Sequence, residues 1–460
     1  MEYVAGVDIG TTNTKAMIFD LSGHCLGSAS VKSNISFLPG GYVEQDASKW
    51  YLDTCRVLRE AAGKSGIDHS SIKAVSLSSQ GISIVPVDKE LAPLSEAVNW
   101  MDNRAGAEAY SLTEILGTEY LRHVTGKLRA GGDYALPKIM WFRSHRPEIH
   151  KQAFKYLMPL DYCIAHMTDR VVTDHTMVAG SLAYHVERQC LDEKILSASG
   201  IDGDLFPEIV RAGTPVGHFN RKTAELTGFP EDCIVVTGGQ DQKVAAYGAG
   251  LSAGSATLSM GTCGAFEFMT GRDTFDFQSG MTLCPYITED SYVIEGCINT
   301  LCAAIDWMKN LLYQDSDYEA MNREAEKFAG SCEVKIAPFF SGTGTPHHES
   351  GDKRAQIYGL CLGTKRGEIL YALYEALSEE CLLNVREAEK TVPKIRELRV
   401  FSGGSENSLL CRMIAEKCGI PVVRQSFNEM GILGAAKIAA SGIGCNPELF
   451  SKTHAQHLMA

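Results

Sequence analysis

A chain of 460 residues exceeds what one hydrophobic core ordinarily supports, so its length predicts two large domains. With 45% hydrophobic and 22% charged residues the chain is globular, and its formal net charge of −13 argues against nucleic acid as a partner, because phosphate backbones require clustered Lys and Arg. The 15 cysteines contain no C-x-x-C pair, which argues against zinc and predicts small buried thiols in a reducing compartment.

The first residues of the sequence predict no export signal. Residues 1–5 enter a strand-like run without the basic and apolar segments of a signal peptide. No window approaches the roughly 20 apolar residues that a membrane-spanning helix needs. We therefore expect a cytoplasmic protein that contacts no membrane.

The first half of the chain predicts a β-hairpin followed by an α/β domain. Residues 3–9 and 15–21 are apolar, strand-like runs, and residues 10–14 between them are rich in turn-forming types. A helix, a strand and a further helix are predicted after the hairpin, over residues 47–63, 74–78 and 104–116. This alternation is typical of α/β domains.

A second strand-turn-strand pattern occurs at residues 256–269 and indicates an ancient duplication. Between the two copies, residues 235–241 predict a strand that runs into a turn loosened by Gly238 and Gly239. We expect the first domain to end at this turn. The predicted domains are residues 1–242 and 243–460.

Two helices are predicted in the second half of the chain. Residues 367–387 carry apolar positions at helical spacing, and residues 408–418 form a second helix that ends at Gly419. A short strand and a turn at Gly403 and Gly404 precede the second helix. A strand, a glycine turn and a helix in this order suit nucleotide binding.

The first hairpin turn combines the residue types that bind phosphate and Mg²⁺. Glycine permits close approach, Thr hydroxyls donate hydrogen bonds, lysine supplies a point charge, and a carboxylate at a strand end can hold Mg²⁺. These residues are Asp8, Gly10, Thr11, Thr12, Asn13 and Lys15. The alternative is an ordinary hairpin with Thr chosen for β-propensity. The repeated turn at Gly261 and Thr262 favours phosphate binding, because two facing turns grip phosphates from both sides.

Asp241 follows the predicted turn at the domain junction, where a carboxylate could reach a cleft. A carboxylate that accepts the proton of an attacking hydroxyl orients that nucleophile toward a γ-phosphate. The alternative is that Asp241 caps a helix or forms the turn, which is the commoner role of an Asp in such a segment.

Taken together, these motifs closely resemble those of the FGGY carbohydrate kinases, and the resemblance runs nearly from end to end. Further matching stretches are residues 39–46 (PGGYVEQD), 100–104 (WMDNR), 136–142 (LPKIMWF), 358–360 (YGL), 372–375 (ALYE) and 429–436 (EMGILGAA). The order of these stretches along the chain agrees with that family.

The resemblance implies two actin-like, ribonuclease H-like α/β domains around a central cleft, with residues 1–242 binding sugar and residues 243–460 binding ATP. It implies that Asp8 binds Mg²⁺ and that Asp241 is the catalytic base. The residues implied to contact ATP are Gly10, Thr11, Thr12, Asn13, Lys15, Gly261, Thr262, Gly403, Gly404 and Asn407.

Sugar contacts are expected from Gln80, Trp100, Asp241 and Gln242. Trp100 would pack against an apolar face of the sugar, and the alternative is that its ring belongs to the core. For Gln80 the alternative is an amide whose hydrogen bonds are satisfied within the protein.

The residues after Gln80 help to predict which compound accepts the phosphate. Glycerol kinases follow the equivalent Gln with Arg-Glu and xylulose kinases with Met-His, whereas this chain has Gly81, Ile82 and Ser83. The missing polar handles disfavour glycerol, and we predict a ketopentose such as xylulose. The alternatives are gluconate or another polyol, or a non-catalytic ATP-binding regulatory protein of the same fold. Relatives are often dimers, so the resemblance allows a homodimer, although no amphipathic stripe marks an interface.

Overall fold

The structure is a computed structural model that describes residues 2–272, 279–347, 353–453 and 457–459. Within these ranges, no helix is both long enough and apolar enough to cross a membrane. Strands and helices alternate along the chain, as the sequence predicts.

The strands of the described residues are, in chain order, β1 (Tyr3–Ile9), β2 (Asn13–Asp20), β3 (Cys25–Lys32), β4 (Ser36–Leu38), β5 (Tyr42–Gln45), β6 (Ile72–Ser79), β7 (Val85–Val87), β8 (Ala97–Val98), β9 (Lys155–Leu157), β10 (Val172–Asp174), β11 (Tyr184–His185), β12 (Cys190–Leu191), β13 (Glu208–Val210), β14 (Pro215–His218), β15 (Ile234–Gln240), β16 (Ser255–Met260), β17 (Gly264–Gly271), β18 (Thr282–Pro285), β19 (Ser291–Ile298), β20 (Lys335–Ala337), β21 (Gln356–Tyr358), β22 (Glu397–Phe401), β23 (Val422–Arg424) and β24 (His457–Met459).

The α-helices are α1 (Ala47–Ser65), α2 (Gly106–Leu116), α3 (Thr118–Thr125), α4 (Ala135–His145), α5 (Pro147–Gln152), α6 (Pro159–Thr168), α7 (His175–Val178), α8 (Glu193–Ser199), α9 (Arg221–Thr227), α10 (Asp241–Gly248), α11 (Cys302–Leu312), α12 (Tyr318–Glu326), α13 (Arg366–Ala388), α14 (Ser408–Cys418), α15 (Met430–Gly442) and α16 (Glu448–Thr453).

The chain forms two compact units. The first unit comprises Met1–Gly250, Leu283–Ser291 and Glu429–His454, and the second comprises Leu251–Thr282, Tyr292–Asn428 and Ala455–Ala460. This division differs from the predicted boundary after residue 242, chiefly because α15 belongs to the first unit. Nothing in the local sequence indicates that a segment so late in the chain completes the first unit.

A six-stranded sheet with the order β14-β15-β6-β1-β2-β3 forms the first unit. Strands β15, β6 and β1 run parallel, and the predicted hairpin of β1 and β2 is antiparallel. Side chains alternate between the two faces of β1. Ala5, Val7 and Ile9 join the core cluster that includes residues of α1. Gly6 faces the opposite side, where a Cβ would lie 2.2 Å from the carbonyl oxygen of Ile432 in α15.

The second unit contains a seven-stranded sheet with the order β18-β19-β17-β16-β22-β23-β24. Here too a hairpin, β16 and β17, is followed in the sheet by strands that run parallel to its first strand, β22 and β23. The repeated hairpin that the sequence indicates is therefore present, and each copy pairs with a parallel strand.

One predicted local feature is wrong. Gly238 and Gly239 lie inside β15 and form no turn, and the chain enters α10 directly at Asp241. The pairing of β15 with β6 shifts register between Val236 and Gly239. A Cβ on Gly238 would lie 1.6 Å from the carbonyl oxygen of Leu77, so glycine is needed there for the close approach of two strands.

The contact between α10 and α15 also depends on glycine. A Cβ on Gly434 would lie 2.0 Å from the carbonyl oxygen of Val244. Gly63, near the end of α1, is exposed and has open space where a Cβ would be. These two helical glycines form a matched pair for a test of packing.

We predict that Gly434→Ala lowers the thermal unfolding midpoint by several degrees, because the added methyl group forces α10 and α15 apart at a cost of about 1–3 kcal/mol. Gly63→Ala should leave the midpoint unchanged or raise it, since Ala is the better helix former by up to about 1 kcal/mol. Differential scanning calorimetry of the two variants checks this. Equal midpoints would show that the helix contact tolerates a side chain.

Candidate active site

The candidate site residues of the first unit come together at one edge of its sheet. Asp8 of β1 lies in register with Ser78 of β6, and Ser78 lies in register with Gly239 of β15. Neighbouring strands are about 4.8 Å apart, so residues that follow these three strand ends converge. Gln80 and Asp241 are such residues. Ligands of open α/β sheets bind at the carboxyl ends of parallel strands, which is this edge.

Asp8 is half-buried and faces the first turn of α15. Its Oδ1 accepts a hydrogen bond of 2.7 Å from Ser78 Oγ. Loss of hydration and, to a lesser extent, Glu429 raise the pKa of Asp8, whereas the Ser78 hydrogen bond and Lys15 lower it, and the net result is a pKa of about 6. A carboxylate that is disfavoured in its charged form gains from a nearby cation. One carboxylate beside a phosphate site is a usual protein contribution to Mg²⁺ binding, so Asp8 fits such an ion.

The hairpin turn after Asp8 presents backbone donors. The Gly10 N–H donates to the Asn13 carbonyl at 3.0 Å and closes the turn, and a Cβ on Gly10 would lie 2.8 Å from that same oxygen. In the described part of the chain, the backbone N–H groups of Thr11 and Thr12 donate to no protein group. Such unpaired donors in a glycine turn suit an anion.

Lys15 forms an ion pair with Glu429, with 2.6 Å between Nζ and Oε1. About a third of each side chain is exposed, at 31% and 35%. Glu429 directly precedes α15, so this pair joins the hairpin to the helix that completes the unit. A phosphate near Lys15 would compete with Glu429 for the ammonium group.

Thr11 belongs to a hydrogen-bond network that also holds both predicted sugar contacts. The Trp100 indole N–H donates to Thr11 Oγ1 at 2.8 Å, and Thr11 Oγ1 donates to Gln80 Oε1 at 3.0 Å. Gln80 Nε2 donates to Gln45 Oε1 at 3.0 Å, and Asn99 Nδ2 donates to that same oxygen at 3.0 Å. The Thr11 hydroxyl thus both accepts and donates a hydrogen bond within the protein. The Thr11 backbone N–H, in contrast, donates to no group in the described part of the chain.

Trp100 and Gln80 lie in different environments. Trp100 is 41% exposed, so its ring is not part of the core. Gln80 is 2% exposed and its amide is hydrogen-bonded within the protein, as the alternative to sugar binding expects. A sugar contact by Gln80 would therefore have to replace or extend these bonds.

Lys138 holds the segments that carry Gln80 and Trp100. Its buried ammonium donates to the Ile82 carbonyl at 3.0 Å and to the Asn99 carbonyl at 2.8 Å. Burial lowers the pKa of Lys138 to about 7. A buried lysine that binds two carbonyls fixes the relative position of the two chain segments.

Asp241 occupies the first turn of α10. Its Oδ1 accepts hydrogen bonds from the Gln240 side-chain amide and from the Gln242 backbone N–H, the latter at 2.8 Å. The Gln240 N–H donates to Thr176 Oγ1 at 2.8 Å, which ties the end of β15 to α7. A carboxylate in the first turn is also favoured by the helix dipole. The carboxylate of Asp241 is therefore fixed in direction by its neighbours.

The second unit contains a cavity of about 700 Å³. Its size is within the usual range for sites of small ligands and cofactors. All five residues of this unit that the resemblance implies for ATP line it, namely Gly261, Thr262, Gly403, Gly404 and Asn407. The other lining residues are Met260, Cys302, Ile305, Asp306, Tyr318, Glu319, Asn322, Glu406 and Ser408.

Gly404 and Asn407 shape the wall of this cavity. A Cβ on Gly404 would lie 2.4 Å from Cys302 Sγ, so only glycine fits there. Asn407 accepts from the Leu410 N–H at 3.1 Å as the N-cap of α14, and its amide donates to the Tyr374 hydroxyl at 3.0 Å. These hydrogen bonds to Leu410 and Tyr374 fix the position of Asn407 in the cavity wall.

Sequence reasoning missed the residues that hold the site together. Gln45 and Lys138 lie in the stretches 39–46 and 136–142, whose similarity to the family was noted without a role for either residue. Asn99 precedes Trp100, and nothing in the local sequence signals that it bonds to Gln45. A polar residue inside an otherwise apolar stretch is the signal that could have found Asn99 and Lys138, whereas Gln45 lies among polar residues.

Comparisons with known proteins match two family domains along this chain. The family model for the N-terminal domain of the FGGY family of carbohydrate kinases matches residues 3–248, and the model for the C-terminal domain of that family matches residues 256–443. A xylulose kinase of Bacillus subtilis (strain 168) is 28% identical over 449 residues, which cover 96% of this chain and 89% of the relative.

Two further similarities carry different names. A glycerol kinase of Alkalilimnicola ehrlichii (strain ATCC BAA-1101 / DSM 17681 / MLHE-1) is 28% identical over 463 residues, which cover 97% of this chain and 91% of the relative. The crystal structure of a gluconate kinase from Lactobacillus acidophilus matches with a TM-score of 0.91 at 21% identity, covering 99% of this chain and 92% of that chain. The latter similarity concerns the fold alone, and it confirms the predicted actin-like α/β domains.

The N-terminal and C-terminal family models match successive ranges of the chain, in that order. The enzyme is therefore a phosphotransferase with an alcohol group as acceptor. Its substrates are a carbohydrate and ATP. This chain belongs to the FGGY family of carbohydrate kinases.

Proposed function

We propose that this enzyme transfers the γ-phosphate of MgATP to a hydroxyl of a ketopentose such as xylulose, with Asp241 as the catalytic base. The observation that carries the proposal is the convergence of Asp8, Gln80 and Asp241 at the carboxyl ends of three parallel strands. A carboxylate fixed at this edge can accept the proton of an acceptor hydroxyl while that oxygen attacks phosphorus.

Gln240 and Gln242 support the role of Asp241. Their donors hold one carboxylate oxygen, which reduces the freedom of the group and prepares it to meet a hydroxyl. The proton of the sugar hydroxyl would pass to the carboxylate of Asp241. Gln242 would contact the same sugar, as the resemblance implies.

Each unit offers its own groups to ATP. In the second unit, the 700 Å³ cavity suits adenosine, and the turn at Gly261 and Thr262 suits phosphate oxygens. In the first unit, the backbone N–H groups of Thr11 and Thr12 suit phosphate oxygens as well, with Gly10 and Asn13 closing the turn. The Lys15 ammonium group would then be shared between Glu429 and a phosphate oxygen.

Asp8 would hold Mg²⁺, directly or through water. The ion supplies charge neutralisation to the phosphates when it is bound. Asp8 can act as such a ligand only when it is ionised, so its raised pKa makes the site sensitive to pH.

The ketopentose assignment is supported by three observations. The similarity to a xylulose kinase spans almost the whole chain, although a glycerol kinase is as close in identity. Glycerol is disfavoured because Gly81 and Ile82 follow Gln80 in place of polar side chains. The exposed ring of Trp100 offers an apolar surface to a carbon face of a sugar. Gluconate and other polyols remain the alternative acceptors.

We predict that Asp241→Asn lowers sugar-dependent ADP formation by about 10²–10⁴-fold, because the amide cannot accept the hydroxyl proton. ADP affinity should remain within about twofold. A coupled ADP assay with D-xylulose, gluconate and glycerol measures both the loss and the preferred acceptor. Asp232→Asn, an exposed carboxylate just before the opposite end of β15, is the control and should retain activity.

Two outcomes would count against the proposal in different ways. Full activity in Asp241→Asn would remove the base from its role. A kcat/KM for gluconate or a polyol more than tenfold above that for D-xylulose would overturn the ketopentose assignment and leave the base intact.

We predict that Mg²⁺ binding in the presence of a nonhydrolysable ATP analogue weakens as the pH falls through 6. The folded pKa of Asp8 is about 6, so below that pH the group is neutral and attracts no cation. Isothermal titration calorimetry between pH 5 and 7.5 measures this. Asp8→Asn should bind Mg²⁺ more weakly and keep only the pH dependence of the analogue itself. Identical pH dependence in both proteins would exclude Asp8 as a ligand.

We predict that Trp100→Phe and Thr11→Val are coupled in their effect on kcat/KM for the sugar. Their hydrogen bond should give a coupling free energy of about 1 kcal/mol, or roughly fivefold, in a double-mutant cycle. Thr12→Val is the matched control for coupling, because Thr12 lies next in the same turn, and its effect on kcat/KM should add to that of Trp100→Phe even if it alters ATP binding. Additive effects of Trp100→Phe and Thr11→Val would show that the network does not act on the sugar.

A further inference from the structure

The last residue of β15 is held by a side chain as well as by the sheet. β14 pairs with β15 as far as Val236, and β6 pairs with it as far as Gln240. The Gln240 N–H donates to the Thr176 hydroxyl oxygen of α7 at 2.8 Å. Because Asp241 comes next in the chain, this hydrogen bond fixes the backbone position directly before that carboxylate.

The hydroxyl of Thr176 is itself held by Asp174. Thr176 Oγ1 donates to this carboxylate, at 3.0 Å from Oδ1 and 2.9 Å from Oδ2. The backbone N–H groups of Thr176 and Met177 donate to the same carboxylate at 2.9 and 3.0 Å, so that Asp174 caps the start of α7. Asp174 and Thr176 are both buried. Their side chains are therefore fixed in one arrangement.

The charge of Asp174 sets the direction of the Thr176 hydroxyl. Burial raises the pKa of Asp174 to about 6, against the hydrogen bonds from Thr176 and Met177 that lower it. The group is therefore mostly ionised at neutral pH. An ionised carboxylate only accepts hydrogen bonds, so the single proton of the Thr176 hydroxyl points to Asp174. The lone pairs of the same oxygen are then available to the Gln240 N–H.

Glycine at position 239 allows α7 to approach β15 this closely. A Cβ on Gly239 would lie 2.6 Å from Thr176 Oγ1 and 3.0 Å from Ile287 Cδ1. The Thr176 hydroxyl could move aside only by losing the hydrogen bonds that hold it. The two glycines at the end of β15 thus serve different contacts, since Gly238 lies against β6 and Gly239 lies against α7.

The side chain of Gln240 connects this backbone position to Asp241. Gln240 Nε2 donates to Asp241 Oδ1, and Gln240 Oε1 accepts from the Gln242 N–H at 3.1 Å as the N-cap of α10. The Gln242 N–H also donates to Asp241 Oδ1 at 2.8 Å. A shift of the Gln240 backbone would therefore change the direction of the Asp241 carboxylate.

We propose that Thr176, held by Asp174, is a positioning residue for phosphoryl transfer, whose hydroxyl fixes the end of β15 so that Asp241 meets the acceptor hydroxyl in the reactive direction. The proposal rests on the proposed role of Asp241 as the catalytic base. Thr176 acts through Gln240 and needs no contact with the sugar or ATP. Loss of its hydroxyl should therefore slow the chemical step and leave substrate binding nearly unchanged.

Thr176→Val removes the hydroxyl and nearly keeps the shape of the side chain. We expect kcat for sugar-dependent ADP formation to fall by about 10–100-fold, because a misplacement of about 1 Å at a reacting group costs up to about 100-fold. KM for the sugar and for ATP should change by less than about twofold. Thr176→Ser keeps the hydroxyl and should retain kcat within about threefold of the wild type.

The assays use the full-length protein and the best acceptor among D-xylulose, gluconate and glycerol. They contain dithiothreitol, because some thiols are accessible to oxidants. The exposed cysteines are Cys25, Cys190, Cys263 and Cys361, which corrects the expectation that the cysteines are buried.

Thr227→Val is the matched control for the loss of a buried hydroxyl. Thr227 is buried in α9, before the start of β15, and its hydroxyl accepts the Phe229 N–H at 3.2 Å and donates to the Thr223 carbonyl at 2.8 Å. Both Val variants should lower the midpoint of thermal unfolding, since each leaves a buried backbone N–H without its acceptor. Only Thr176→Val should lower kcat. An equal loss of kcat in Thr227→Val would attribute the effect to general destabilisation and overturn the proposal.

A double-mutant cycle tests whether Thr176 acts through Asp241. In the Asp241→Asn background, Thr176→Val should lower the residual ADP formation by less than about twofold, because the base that the hydroxyl positions is already absent. Losses that multiply in the double variant would show that Thr176 acts on another group, which would contradict the proposal.

Gly239→Ala is a second route to the same displacement and serves if Thr176→Val does not fold. Its methyl group would push the Thr176 hydroxyl away from Gln240, so we expect a similar fall in kcat with KM nearly unchanged. Wild-type kcat in Gly239→Ala would overturn the proposal.

The positioning role and the proposed function fail in different ways. Full activity in Asp241→Asn would show that the base is wrongly assigned, and the role of Thr176 would fall with it. An inactive Asp241→Asn together with wild-type kcat in Thr176→Val would overturn the positioning role alone. The same conclusion would follow if Thr176→Ser lost as much kcat as Thr176→Val.

Discussion

The parallel register of β1, β6 and β15 is the constraint on which the first unit's site depends. It places Asp8, Ser78 and Gly239 side by side on neighbouring strands. Gly10, Gln80 and Asp241, which directly follow these strands, therefore lie at one edge of the sheet. Helix α15 packs against one face of this sheet. Gly6 lets the backbone of β1 come close to α15, and Gly434 lets the backbone of α15 come close to α10. Residues from three distant parts of the sequence therefore reach one place without any long loop.

Buried hydrogen bonds turn this edge into a defined surface. Lys138 donates to two carbonyls beneath it, and the side-chain amides of Gln80 and Asn99 both donate to Gln45 Oε1. A buried polar group without a partner costs about 1–3 kcal/mol, so such a network favours one arrangement over all others. Thr11 extends the network to the hairpin turn, which means that the predicted phosphate and sugar contacts share one set of bonds.

Local pattern was sufficient to predict much of this fold. Both hairpins and the helices α1, α13 and α14 follow from periodicity and turn residues, and the family follows from ordered motifs. The glycines of β15 were misread as a turn because sequence cannot show that Leu77 lies against them. The place of α15 and the hydrogen bonds of Lys138 could not be predicted, since each is a contact between residues far apart in the chain.

A crystal structure with D-xylulose and the magnesium complex of a nonhydrolysable ATP analogue tests the central claim most directly. The distance to measure joins a carboxylate oxygen of Asp241 and the nearest sugar hydroxyl oxygen. We predict about 2.6–3.2 Å, the range in which a base accepts a proton. A sugar bound away from the ends of β1, β6 and β15, with Asp241 contacting only Gln240 and Gln242, would contradict the account.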